Sequence, residues 1–383
     1  MSPTTVATGI DLPLAPSCGS TILCSDTYRV LRGELSTTFF CLPESSPGWD
    51  HGFESVVHCQ AHKAPYGPDF DAYVTQLTRI VARHLEILQP DVIHAQHLGF
   101  GLSLAFCRVA GNIPIVAVAH GTDVIAAAAS TQALAALTEV VERSAEVVLP
   151  TEALRRQVDE LTAGQWTAKL SVVGWGIPLD RVASMHRPST ARALRLLHAG
   201  RLDQNKSSVT AVEAMALTKR RHHLRIIGDG DQRESLRRRA IELGVSDQVS
   251  FSPFVQRHQL WATFADHDAF LFTTVGLEAF GLVGIEAQAH GLPVMYSAVA
   301  GLADSIGDSG LPYRPGDARQ LSQAIDLLAD DPGLRHSLST QGIANAHRFD
   351  IHHTARGLAH ISSRVRGYAR VSGVNDPRID KDA

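Results

Sequence analysis

Cysteine is scarce and unpaired in this sequence: Cys18, Cys24, Cys41, Cys59 and Cys107 include no C-x-x-C pair. An odd number in a chain this long argues against a disulfide framework and against structural zinc, and points to a reducing, cytoplasmic setting. Long hydrophobic runs are missing too. No stretch of about 18 apolar residues occurs, which excludes a spanning helix. The opening residues MSPTTVATGIDLPLAPS have neither the basic region nor the continuous apolar run of a signal peptide. Lysine is nearly absent, five residues against 30 arginines; with the richness in alanine, this reads as compositional bias and not as a recognition surface built from arginine. A formal net charge of −4 gives no general attraction to nucleic acid or to an anionic membrane.

What is present describes a globular protein with ample core, 44% hydrophobic and 19% charged. At 383 residues the chain exceeds the size at which one core keeps growing, so two domains are expected. Short apolar strands alternate with helical patterns, the appearance of α/β domains with mostly parallel sheets. Predicted helices include Asp69–Leu88, Leu102–Ala110, Thr131–Ser144 and Glu152–Leu161 in the first half. Those of the second half include Glu234–Leu243, Leu260–Ala265, Ala318–Ala329, Pro332–His347 and Ile351–Arg366. Glycine and proline in VGWGIPLD, residues 173–180, and the polar stretch 184–190 mark a boundary, giving domains 1–183 and 184–350. The polar tail 371–383 is expected to be disordered.

In such sheets ligands bind at the carboxyl ends of strands, so the loops there carry the chemistry. One stretch dominates, GLEAFGLVGIEAQAHGLPVMYSAVAG from Gly276 to Gly301. Glu278 falls in a loop before a short apolar helix and Glu286 in its first turns, so both carboxylates can face one crevice. Gly281 and the first helical amides offer N–H groups to an anion. Gly291 and Pro293 stop the helix. On spacing alone the pair is either solvated or an acid/base couple of the glycoside-hydrolysis kind. In GRLDQNK, Arg201 and Lys206 sit five apart before a helix starting near Ser208, where both could meet one diphosphate; the plain alternative is a solvated basic loop. Gly228-Asp-Gly-Asp231 contains a D-x-D pattern, but two aspartates without further ligands are a poor cation site, and no G-x-G-x-x-G follows. Three loops of the first half are candidates beside them: Pro16–Ser20, His94-Ala-Gln-His97 and His120-Gly-Thr-Asp123.

These segments resemble retaining glycosyltransferases of family 4. The family pattern E-x-F-G-L-x-x-x-E-A-x-A-x-G-x-P-V is matched by Glu278, Phe280, Gly281, Leu282, Glu286, Ala287, Ala289, Gly291, Pro293 and Val294. GRLDQNK resembles the hallmark G-R-L-x-x-x-K, with Ser207 where a glycine is usual. HGTD recurs in the family as it stands; PDVIHAQH has one residue more than the family's segment between its histidines. Cys18-Gly19 stands where two glycines are usual.

The resemblance implies a GT-B fold, two Rossmann-like domains facing across a cleft that closes on its substrates, with a C-terminal helix crossing back to the first domain. It implies a nucleotide-sugar donor, UDP-linked, and no metal. Arg201 and Lys206 would hold the pyrophosphate, Glu286 the ribose, and Glu278 the donor sugar, with His120 against that sugar. Phe280, Gly281 and Leu282 would supply backbone to the diphosphate, Gly228 the nucleotide-side turn, and Phe254 and Val255 backbone to the base. Gly19, Ser20, His97, Asp123 and Trp175 would lie on the acceptor side. Retention implies front-face attack, in which the leaving phosphate takes the acceptor's proton.

No lipid-binding amphipathic helix stands out, which favours a small soluble acceptor. The segments 14–20 and 94–101 are also similar to transferases that decorate aminocyclitols in aminoglycoside antibiotic assembly. That likeness implies an acceptor such as paromamine or 2-deoxystreptamine, with Asp11, Asp26 and Asp123 as its available carboxylates. A polysaccharide, lipid or other acceptor stays open, as do a homodimer, an epimerase or hydrolase on the same fold, and a non-catalytic or dinucleotide-binding protein.

Overall fold

A computed structural model describes residues 3–43, 49–182 and 191–372. The predicted polar stretch 184–190 and the tail from 373 onward lie outside them. The chain divides into two compact units, Met1–Gly174 with Ile351–Ala383, and Trp175–Asp350.

The first unit contains, in order, β1 (Thr4–Pro13), α1 (Gly19–Val30), β2 (Leu35–Leu42), β3 (Ser55–His58), α2 (Phe70–Leu88), β4 (Val92–Gln96), α3 (Gly101–Val109), β5 (Ile115–Val118), α4 (Thr122–Ala129), α5 (Thr131–Arg143), β6 (Glu146–Leu149), α6 (Glu152–Leu161) and β7 (Leu170–Val172). Its seven strands are parallel in the order β3-β2-β1-β4-β5-β6-β7. A sheet covered on both faces needs strands that are apolar on both, and every residue of β5 (IVAV) and β6 (EVVL) is buried. Helix starts are set by side chains that accept first-turn amides, Ser130 from Ala133 and Thr151 from Leu154. Helix α4 is absent from the sequence-based expectation: TDVIAAAA is held by alanine's helix propensity and shows little apolar periodicity.

The second unit contains β8 (Arg195–Ala199), α7 (Ser208–Leu217), β9 (His223–Ile227), α8 (Arg233–Glu242), β10 (Val249–Ser252), α9 (Arg257–Phe264), β11 (Ala269–Phe272), α10 (Leu282–Ala289), β12 (Val294–Ser297), α11 (Ala300–Ser305), β13 (Leu311–Tyr313), α12 (Ala318–Asp330) and α13 (Pro332–His347). Six parallel strands run in the order β10-β9-β8-β11-β12-β13. Their core gathers Leu196, Ile226 and Leu271 with Val212, Leu236 and Ile325 from the helices. Helix α9 begins three residues before its predicted start, because Gln256 and Gln259 cap it reciprocally.

The last helix, α14 (Ile351–Ser372), returns to the first unit and runs past its predicted end at Arg366 into the expected tail. Leu358, Ile361 and Val365 pack on Val92, Val116 and Val148 of the sheet. Ser362 reaches the buried ring of His94, 2.7 Å from Nε2, and Arg366 pairs with Asp91 at 2.9 Å. A Cβ on Gly357 would lie 2.8 Å from Val173, so the helix approaches that segment closely. Among the described residues no helix is long and apolar enough to cross a membrane. In each sheet the strand order reverses once, at β1/β4 and at β8/β11, the points at whose carboxyl ends ligands of such sheets bind.

Candidate active site

In the second unit the loops after β8 and β11 are joined by Asn205. Its side chain accepts from Gly276 N at 3.0 Å and donates to Leu277 O at 3.3 Å, while its own carbonyl accepts from Val275 N at 2.9 Å. Thr273 adds a bond from Oγ1 to Lys206 O at 2.6 Å. This join carries Lys206 to Glu278: the ammonium bonds the carboxylate directly, with both side chains mostly buried. The same ammonium lies 5.4 Å over the ring of Phe272. Arg201 behaves differently, being 69% exposed and 3.3 Å from Asp203. Of the two expected diphosphate cations, one is mostly buried against Glu278 and one is exposed beside Asp203. Ser207 takes a left-handed backbone (φ +45°), which explains the family's preference for glycine there.

The two glutamates have separate cations. Glu278 meets Lys206, whereas Glu286, in α10, is 2.8 Å from Arg257 Nε at the start of α9. Gly281 caps α10 with φ +82°, and a Cβ there would come within 2.3 Å of Leu302. A Cβ on Gly301 would sit 1.8 Å from Glu278 O, so α11 presses on the loop bearing that carboxylate. The amides of Leu282 and Val283 open the helix, where its geometry supplies no acceptors of its own. The Phe280 ring is buried against Trp175 at 6.0 Å and Phe349 at 5.0 Å, and its carbonyl accepts from Ser305 Oγ at 2.6 Å. The Phe280 and Trp175 rings pack together within this unit, where their aromatic area is buried.

The turn after β9 holds the loop after β10. Asp229 accepts from Phe254 N at 2.9 Å and from Arg233 at 2.8 Å, which engages the first carboxylate of the D-x-D pattern in fastening Phe254 and Val255. Gly228 is required by sterics, since a Cβ would lie 1.9 Å from Gly200 O. The ring of Phe254 is 44% exposed.

In the first unit the corresponding loops collect Ser20, His97, His120 and Asp123. Ser20 Oγ is 3.3 Å from His97 Nε2, and the His97 ring lies 4.5 Å from Phe100 and 4.3 Å from His120. His97 is held at φ +67°, a strained conformation for a histidine, with Nδ1 buried and lacking a hydrogen-bond partner. A Cβ on Gly19 would meet nothing within 4 Å, so the chain itself does not demand glycine at that position. The Gln96 amide donates to Thr8 Oγ1 and Tyr28 OH, leaving Oε1 to accept from His120 Nε2 at 2.8 Å. The proton of His120 is thereby placed on Nε2, and burial pushes the imidazole down to about 3. It is a neutral ring at physiological pH.

The three carboxylates expected to meet an amine are all buried. Asp123 accepts from the amides of Leu98, His120, Gly121 and Val124, tying the loops after β4 and β5 together. Asp11 accepts from Gly101 N at 3.1 Å and Tyr73 OH at 3.3 Å and lies 3.5 Å from Lys63. Burial raises both carboxyls, against the lowering effect of Lys63 on Asp11 and of the amides on Asp123. Asp26 lies within α1. Asn205, Arg257, Gln96 and Lys63 escaped the sequence reading, because each acts through a partner far away in the chain and none belongs to a motif position with a fixed residue type.

Residues 34–181 match the family described as Glycosyltransferase Family 4, and residues 188–344 that described as Glycosyl transferases group 1. The chain is 27% identical over 320 residues to the glycogen synthase of Mycobacterium tuberculosis, across 76% of this chain and 75% of that one. It is 29% identical over 330 residues to the D-inositol 3-phosphate glycosyltransferase of Acidothermus cellulolyticus, across 76% and 71%. Among solved structures, Anabaena HepE in complex with UDP and glucose has a TM-score of 0.79 over 94% of this chain and all of that one, at 18% identity. Sucrose-phosphate synthase from Thermosynechococcus elongatus also has a TM-score of 0.79 at 18% identity, over 95% of this chain and all of that one. The structural likenesses carry the fold, which is GT-B. With both units matched and their strand-end loops carrying the hallmark residues, the chain belongs to family 4 of the glycosyltransferases, enzymes that draw on a nucleotide sugar.

Proposed function

We propose that this enzyme is a retaining, metal-independent transferase that moves a sugar from a UDP-sugar to a hydroxyl of a small, soluble polyol. The observation that carries the donor half is the Asn205 join, which sets Lys206 beside Glu278 at the switch point of the second sheet. The UDP bound by HepE supports the nucleotide. In this reading Arg201 and Lys206 hold the diphosphate with the first amides of α10 near Gly281 and Leu282, Glu286 accepts from the ribose hydroxyls, and the fastened loop at Phe254 and Val255 meets the base. Gly228 keeps the neighbouring turn narrow.

The bond from the anomeric carbon to the β-phosphate oxygen breaks while the acceptor oxygen adds on the same face, and the acceptor's proton passes to the departing phosphate. Negative charge grows on that phosphate, so fixed cations lower the barrier more than they tighten the ground state. The donor's arrival would draw Lys206 from Glu278 to phosphate and release Glu278 to the sugar hydroxyls. His120, neutral, serves as a hydrogen-bonding wall for the sugar and not as an acid. Gly19, Ser20 and His97 face the acceptor, and Asp123 positions their loops.

An aminocyclitol acceptor is the weaker reading. A polyammonium needs accessible carboxylates, whereas Asp11 and Asp123 are engaged internally and Lys63 adds a cation beside Phe100. A neutral or anionic polyol suits these groups, and relatives named for inositol phosphate agree. The test is Glu278→Gln with UDP binding and transfer measured separately. Transfer should fall about 100-fold or more while UDP affinity is retained or improved, because Lys206 is freed. Lys206→Ala should lose both. Turnover surviving in Glu278→Gln while UDP binding is lost would refute the assignment, and UDP release independent of any acceptor would make the enzyme a hydrolase.

A further inference from the structure

Glu286 is held from two sides by groups that no hallmark motif contains. Its carboxylate is ion-paired with Arg257, Nε lying 2.8 Å away, and its main-chain carbonyl accepts from His290 Nδ1 at 2.7 Å. Between these, the Arg257 guanidinium lies 4.6 Å over the Trp261 ring, and Trp261 stands 5.2 Å from the His290 ring. Arg257, Trp261, His290 and Glu286 thus form a closed circuit joining α9 to α10.

We infer that Arg257 is a positioning residue for donor recognition, fixing the Glu286 carboxylate so that it distinguishes the 2′- and 3′-hydroxyls of the donor ribose; this rests on the ribose role of Glu286 proposed above. A glutamate has three side-chain torsions, and at 9% exposure an unaccompanied carboxylate would turn toward whatever solvent it could reach. Arginine opposes this in a way lysine does not, since its planar head stacks on Trp261 while its delocalised charge stays 2.8 Å from the Glu286 oxygen. Position adds to the argument. Arg257 is the first residue of α9, two beyond Val255, and the reciprocal Gln256–Gln259 cap fixes where that helix begins. The side chain that orients the ribose carboxylate is therefore built into the segment that carries the base loop, so the base-side and ribose-side contacts are set in one register.

The experiment compares binding of UDP and 2′-deoxy-UDP, with steady-state transfer, in wild type, Arg257→Gln, Arg257→Lys, Glu286→Gln and the double variant Arg257→Gln with Glu286→Gln. Wild type should favour the ribonucleotide about tenfold or more, as expected when a hydroxyl bonds a charged acceptor. In Arg257→Gln that preference should collapse toward unity through weaker UDP binding, with donor KM up about tenfold and kcat within about threefold. Arg257→Lys should fall between, and the double variant should lose nothing beyond Glu286→Gln. If Arg257→Gln and Arg257→Lys keep the wild-type preference while Glu286→Gln loses it, the inference fails and the ribose reading stands. If Glu286→Gln keeps the preference, the ribose reading itself fails. Should Arg257→Gln not fold, the ratio in Arg257→Lys decides alone, an unchanged value overturning the inference.

Discussion

His94, His120 and His198 are kept neutral by burial, the first and last pushed down from 6.5 to about 4 and His120 to about 3. The unfolded chain takes up protons at these rings near pH 6.5, while the folded chain resists until near pH 4. Between those values the unfolded state binds more protons, so stability is full above pH 6.5 and is lost as pH falls. At pH 5 His94 and His198 should each cost about 2 kcal/mol relative to neutral pH. Thermal unfolding from pH 7 to 4.5 should show a steep loss of Tm that is shallower in His198→Gln; an unchanged slope would count against the buried, neutral ring. Activity follows another course, since His120 does not titrate above pH 5 and so contributes no inflection to kcat/KM there. The residue was legible as a candidate from H-G-T-D. Its tautomer was not, because that depends on Gln96, a strand away and unremarkable in sequence.

Single elements here are made useful by what ties their ends. The loop after β8 and the loop after β11 are both irregular, and Asn205 gives them one geometry. Asn205→Ala strips a partner from Gly276 N and from Leu277 O; leaving such groups unsatisfied should cost about 1–3 kcal/mol in stability. Donor KM should rise about tenfold as Lys206 and Glu278 lose register, a loss of about 1.4 kcal/mol in binding. Kinetics with saturating acceptor and a melting curve check both, and unchanged KM would show the join to be incidental. In sequence, Asn205 occupies one of the unspecified places in G-R-L-x-x-x-K, so the motif displays its cations and hides the residue that aims one of them. The same limit applied to elements: α12 and α13 announced themselves through length and caps, whereas α11 and β13 have six and three residues, too few for a period to show. Phe280 was placed at the diphosphate through its backbone, and the motif did not say that its ring packs against Trp175 and Phe349.

At the scale of the molecule, two parallel sheets were legible because alternating apolar strands and helices leave few other architectures. Which sheet α14 would cover was not readable from its own residues, since an apolar stripe does not say what it meets. It meets the first: Leu358, Ile361 and Val365 lie on that sheet and Ser362 on His94. Deleting residues 351–383 should leave that apolar face bare and yield an aggregating product. The milder Ser362→Ala, which strands a buried imidazole nitrogen, should cost about 1–3 kcal/mol by thermal unfolding. A deletion product as soluble and as stable as the whole chain would show the helix to be dispensable. The chain leaves the first unit at Gly174 and re-enters it at Ile351, and Ile177 N bonds Phe349 O at 2.9 Å just inside those crossings. The second unit is therefore one uninterrupted piece and the first is not. During synthesis the half of the enzyme that emerges earliest from the ribosome must wait longest, its sheet holding an uncovered face until the far end of the chain arrives, while the later-made half can close by itself.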